Sequence, residues 1–69
     1  MNRRVRIEIN GIGTRYVARV PMDSTIKLTP YKKDARLYRS TINADLDAGA
    51  WEKTLRDLGL DADAYQEVE

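Results

Sequence analysis

Residues 3–20 read RRVRIEINGIGTRYVARV, and the parsing of this stretch decides the fold. Over 3–9 the residues alternate, with Val5, Ile7 and Ile9 pointing one way and Arg4, Arg6 and Glu8 the other. Period-two alternation with β-branched residues on one side marks a half-buried strand. Asn10-Gly11-Ile12-Gly13 follows. Asparagine and glycine tolerate positive φ, so this segment predicts a hairpin turn. The return strand spans 14–20, with Tyr16, Ala18 and Val20 expected inward and Arg15, Val17 and Arg19 outward. Two registers keep the apolar sides matched. A two-residue turn pairs Ile9 with Ile12 and sets Arg6 against Arg15, which is repulsive. A four-residue loop pairs Ile9 with Thr14 and sets Glu8 against Arg15, which is attractive and therefore preferred. In both, Arg4, Arg6, Arg15 and Arg19 share one face.

Beyond the hairpin, Pro21 ends the second strand because it cannot donate to a ladder. Asp23-Ser24 makes a turn, and residues 25–29 predict a short strand with Ile26 and Leu28 inward, ended by Pro30. Tyr31-Lys32-Lys33-Asp34 reads as a turn. Residues 35–42 predict a fourth strand of ambiguous facing, since Leu37 favours one face and Tyr38 with Ile42 the other. That ambiguity is typical of an edge strand.

A helix is predicted over 48–58. Asp47 suits its N-cap, and Leu46 and Trp51 sit at the spacing of a hydrophobic staple. Ala48, Trp51, Leu55 and Leu58 form the apolar stripe. Gly59 supplies the C-terminal turn, with Leu60 folding back onto Leu55. Residues 61–69 are acidic and carry no strong pattern beyond an extra turn capped by Asp61. The layout is α+β: a small four-stranded antiparallel β-meander packed against one C-terminal helix, in one domain over 1–69. A small barrel with an appended helix is the alternative. Trp51 and Leu55 are expected to rest on Val5, Ile7, Tyr16 and Val20.

Composition narrows the chemistry. The 69 residues contain no cysteine and no histidine. No thiolate can attack a substrate or bind a metal, and the commonest general base and metal ligand is missing. The composition suits a reducing cytoplasm. No apolar run approaches the ~18 residues of a membrane span, and the N-terminus lacks a signal-like apolar stretch. A chain this short buries only about 60% of the surface its unfolded form exposes.

The net charge of +1 conceals a split. Residues 1–39 hold ten Lys/Arg and three acids, a net of +7, whereas residues 40–69 hold two bases and eight acids, a net of −6. Such asymmetry suits an anionic partner for the basic half. It equally suits two halves that neutralise one another, within one molecule or across a homodimer.

Several motifs fail on inspection. Gly11 and Gly13 lie between two strands and lack the third glycine of a dinucleotide loop. Asp61 and Asp63 lack the glycine and glutamate of a calcium loop. Asp45 and Asp47 flank the expected helix start, where carboxylates serve the helix dipole rather than acid–base chemistry. Ser24 and Ser40 have no base to activate them.

What remains is basic and aromatic. Arg4, Arg6, Arg15 and Arg19 are arginines, which grip phosphate or carboxylate in bidentate fashion as lysine cannot. Tyr31 and Tyr38 lie among Lys32, Lys33, Arg36 and Arg39, a pattern suited to a phosphate backbone with stacked bases, although half-buried tyrosines on a solubilising edge read the same way. The expectation is a non-enzymatic, cofactor-free nucleic-acid-binding module using an arginine-rich sheet face, with Arg4, Arg6, Arg15, Arg19, Lys32, Lys33, Arg36, Tyr38 and Arg39 as contacts. The alternative is a small protein-binding inhibitor or adaptor, such as a mobile element carries, docking on an acidic protein surface or blocking a nucleic-acid-handling complex.

Overall fold

The computed structural model describes residues 2–19 and 27–69. It is α+β, with one α-helix against an open four-stranded antiparallel sheet. In chain order come β1 (Arg3–Ile9), β2 (Gly13–Val17), β3 (Leu28–Thr29), a single 3-10 turn (Lys32–Asp34), α1 (Thr41–Asp57) and β4 (Ala62–Val68). The strands are ordered β3-β2-β1-β4, so β1 is central and the sheet does not close into a barrel. The expectations at Val20, Pro21, Asp23-Ser24 and Ile26 fall outside the described residues.

β1 forms as its alternation predicts: Val5 and Ile7 are fully buried and Ile9 nearly so. The hairpin differs from both registers considered. Ile9 pairs with Gly13, leaving a three-residue loop of Asn10, Gly11 and Ile12, with Gly11 at φ +83. An odd loop reverses the parity of everything after it. Ile7 therefore faces Arg15, Glu8 faces Thr14 and Arg6 faces Tyr16. The inward residue is Val17, fully buried in the core, and not Tyr16. Tyr16 lies on the opposite face, between Arg6 and Thr29.

The expected strand at 35–42 reduces to two isolated bridges, Ala18 with Ala35 and Arg3 with Tyr38. The segment crosses the end of the sheet, and Tyr38 takes the ladder position beside Arg3 that the shorter β2 leaves open, through N–H···O bonds of 2.8 and 2.6 Å. Ser40 then caps α1, its Oγ accepting from the Asn43 amide at 3.2 Å. The helix begins seven residues before the predicted start. Asp47 is mid-helix, and Leu46 is 65% exposed rather than part of a staple.

The stripe that faces the sheet is Ala44, Ala48, Trp51 and Leu55, while Leu58 is 72% exposed. Trp51 and Leu55 do join Val5 and Ile7 in the core, alongside Ile9, Val17, Tyr38 and Ala62. Each fully buried aliphatic side chain here contributes roughly 1.5–3 kcal/mol of transfer free energy.

The helix ends as predicted. Gly59 has φ +88, its amide donates to the Arg56 carbonyl at 2.9 Å, and the Leu60 amide donates to the Leu55 carbonyl at 3.0 Å. Only a residue without a Cβ adopts this turn at no steric cost. The chain after it is not a frayed turn. It is β4, antiparallel to β1 from Arg3↔Val68 to Ile9↔Ala62. The helix is thus not the last element, and the fourth strand follows it.

Candidate anion-binding surfaces

Cross-strand register decides what the arginines can do. Directly opposed residues share a face. On the side away from α1, Arg4 faces Glu67, Arg6 lies between Tyr65 and Tyr16, and Glu8 lies between Asp63 and Thr14. Arg4 Nε donates to Glu67 Oε1 at 2.9 Å, and Arg6 Nη1 donates to Glu67 Oε2 at 3.1 Å. Arg6 Nε donates to Glu8 Oε1 at 2.6 Å, and the Thr14 hydroxyl donates to Glu8 Oε2 at 2.8 Å. Lys32 reaches in from the crossing segment to Glu67 Oε1 at 3.1 Å.

One carboxylate therefore bridges three cations. Burial opposes the ionisation of Glu67, but hydrogen bonds from Arg6, Lys32 and Arg4 outweigh it and bring its pKa down from 4.5 to about 2. The Thr14 hydroxyl and Arg6 lower Glu8 in the same sense.

The expected face of four arginines does not exist. Arg4 is 8% exposed and committed to Glu67. Arg15 is on the helix side because of the three-residue loop, and its Nη1 donates to the Thr14 carbonyl at 2.8 Å. Arg19 lies beyond β2, exposed, its amide bound to the Asp34 carbonyl at 2.9 Å. Tyr38 is not a stacking platform. It is 4% exposed, and its hydroxyl donates to Asp47 Oδ2 at 2.5 Å. Burial first, and the bond to Asp47 second, raise its pKa above the ordinary tyrosine value.

The crossing segment gathers the remaining bases at one end of the sheet. Lys32, Lys33, Arg36 and Arg39 are all exposed there, beside Arg19. Arg36 lies over the Tyr38 ring at 4.8 Å and 3.7 Å from Asp47. Lys33 and Arg39 form no ion pair with a described residue. Tyr31 is 60% and Leu37 45% exposed in the same segment. An open groove of about 530 Å³, lined by Arg4, Lys32, Lys33, Ala35, Leu37 and Glu69, runs along this end.

α1 starts here too, with no acidic residue in its first turn, so its dipole adds positive potential. The hairpin end is opposite in sign, with Glu8, Asp61 and Asp63 around a groove of about 350 Å³. The charge split of the sequence becomes partly internal neutralisation on the sheet face and partly a dipole along the strands.

Sequence reasoning missed Glu67, the residue that closes the arginine face. Its signal was the alternation of Asp63, Tyr65 and Glu67 with Ala62, Ala64 and Gln66, faint because alanine is a poor marker of a strand interior. Among the described residues no cluster of His, Cys, Asp or Glu is placed to hold a metal, and no helix is long and apolar enough to cross a membrane. Comparison with protein-family models, curated proteins and solved structures finds no match to this chain.

Proposed function

We propose that the chain is a non-enzymatic nucleic-acid-binding module that works in the cytoplasm, with its contact surface at the basic end of the sheet rather than on the sheet face. The observation that supports this most is the crossing segment, which holds Lys32, Lys33, Arg36 and Arg39 exposed within eight residues, with Tyr31 exposed beside them. Clustered cations suit phosphates, and an exposed tyrosine suits an unpaired base. The cations that would bind are those without a carboxylate of their own, so Lys33 and Arg39 lead and Arg36 follows.

The test is a salt titration of binding to generic duplex DNA and to single-stranded RNA. Three to five phosphate contacts give a log–log slope of roughly −2.5 to −4.5 on duplex. No binding at ~50 mM salt, where non-specific association is strongest, ends this reading. A second reading, a small inhibitor or adaptor that binds protein, is favoured by the closure of the arginine face: Glu67 already occupies the groups that would have gripped phosphate.

A further inference from the structure

α1 rests on the sheet through Ala44, Ala48, Trp51 and Leu55. At about 100° per residue, Ile42, Leu46, Gly49 and Lys53 fall on the opposite side of the helix. All four are exposed. Their spacing of four, three and four is that of the seam between two helices packed at a shallow angle. A single exposed leucine or isoleucine is ordinary. Here Ile42 and Leu46 stack one turn apart, and the next position of the seam drops to Gly49, with open space where a Cβ would stand. Glycine weakens a helix interior, and no contact within the described chain requires it at 49, since an added methyl would meet nothing within 4 Å. The face thus carries a knob and a hollow, and neither serves the monomer.

We propose that this face of α1 joins two copies of the chain as an antiparallel helix pair, about a two-fold axis level with residues 47 and 48. Positions 46 and 49, and positions 42 and 53, lie symmetrically about that level. Leu46 of each copy then seats in the hollow over Gly49 of the other, and Ile42 packs along the aliphatic stem of the other copy's Lys53.

The charges on the face fit a second copy. Helix side chains lean toward their own N-terminus, so Lys53 of each copy reaches toward Asp45 of the other. Asp45 holds Gln66 but forms no ion pair with a described residue. Lys53 gives up only its exposed pair with Asp57 at 2.9 Å, which is worth little. Arg56, at the margin of the face, is already answered by Glu52 and Asp63. The helix dipoles oppose one another, and each N-terminus, with no acid in its first turn, comes near the other copy's Asp57. A parallel pair would set Leu46 on Leu46 and each charge against its own kind. The seam uses neither Lys33 nor Arg39, so it stands whether or not the basic end binds nucleic acid. One helix face is smaller than the roughly 1,600 Å² of a standard interface, so the dimer is expected to be weak, with a Kd on the order of tens of micromolar.

The test is sedimentation equilibrium of the full chain from ~10 µM to ~1 mM, a range that brackets this affinity, with amide NMR shifts followed alongside. A monomer–dimer equilibrium is expected, with concentration-dependent shifts centred on 42–53. Leu46→Glu, at an exposed position, puts a carboxylate into the hollow and should weaken the dimer at least tenfold. Gly49→Ala should raise the thermal midpoint of the dilute chain, because alanine is the better helix former, and yet weaken the dimer several-fold by filling the hollow. A general loss of stability cannot produce that pair of effects. Lys53→Glu should weaken association several-fold, and adding Asp45→Lys should restore it. A chain that stays monomeric at ~1 mM overturns the proposal and leaves the face to a different protein. A dimer unchanged by Leu46→Glu overturns it in favour of another surface, and a dimer tightened by Gly49→Ala rules out the close seam.

Discussion

Arg4 and Arg6 on the sheet face, and Lys33 and Arg39 at the sheet's end, all belong to the basic half of the chain, yet the fold treats them differently. The first pair stands opposite β4, where antiparallel register delivers Glu67 to both within 3.1 Å. The second pair lies on a segment that crosses the end of the sheet and touches it through two isolated bridges, where no described residue supplies either of them with an acid. Availability for a partner therefore follows from ladder geometry and not from residue type. An arginine inside a ladder is answered by whatever the neighbouring strand carries at that position. A cation on the crossing segment has no such fixed partner: Arg36 comes within 3.7 Å of Asp47 and Lys32 reaches Glu67, while Lys33 and Arg39 pair with no described acid.

The sharpest way to break this contrast is Glu67→Gln. Arg4 is 8% exposed and would lose the carboxylate it was buried with. Removing one member of a largely buried charge network should cost about 2–4 kcal/mol, read as a shift in the urea midpoint. If the variant unfolds at the parent's midpoint, the network is decorative, and Arg4 and Arg6 return as candidate phosphate contacts.

Acid titration probes the same closed region with a smaller effect. The folded pKa of Glu67 is about 2 against 4.5 for the free side chain, so the unfolded chain takes up the proton first. Its stabilising contribution is whole above pH 4.5 and fades as pH falls toward 2, with Glu8 adding in the same direction. Urea midpoints should fall across that window. In Glu67→Gln the decline should be shallower, since only Glu8 of this network still titrates there. An identical pH profile in both proteins would show that the three cations do not hold the carboxylate.

How much of this was legible depends on the residue that carried each signal. β1 was plain because three β-branched residues alternate with three charged ones. The helix C-terminus was plain because Gly59 and Leu60 fit one turn chemistry. The facing of β2 was lost to loop parity: two-residue and four-residue loops are both even, and the three-residue loop reverses every later side chain.

The helix start was hidden by Ile42 and Leu46. They look like core residues yet are 72% and 65% exposed, while the true inner stripe begins at the small Ala44. β4 was hidden by alanine at its inward positions and acids at its outward ones. That composition reads as a tail until a neighbouring strand with arginines is placed beside it. The arginine face was accordingly legible as a pattern but not as a surface, because its closure depends on a contact 61 to 63 residues away.

The finest discrimination comes from exchanging the two groups of cations and measuring two properties at once. Lys33→Gln and Arg39→Gln touch exposed side chains that pair with no described acid, so each should change stability by no more than about 0.5 kcal/mol. If the basic end holds phosphates, each should also make the salt slope of duplex binding shallower by about one unit, with little change in sequence preference, because a phosphate contact positions without specifying. Arg6→Gln should do the reverse. It loses bonds to Glu8 and Glu67 and so lowers the urea midpoint, but removes no phosphate contact and leaves the slope as it was. Fluorescence anisotropy over 50–200 mM salt, beside urea melts of the same three variants, separates the outcomes. A shallower slope in Arg6→Gln with none in Lys33→Gln or Arg39→Gln would mean that the network opens when nucleic acid arrives. The binding surface would then be the sheet face, and the contrast drawn here between closed and open cations would describe only the unbound protein.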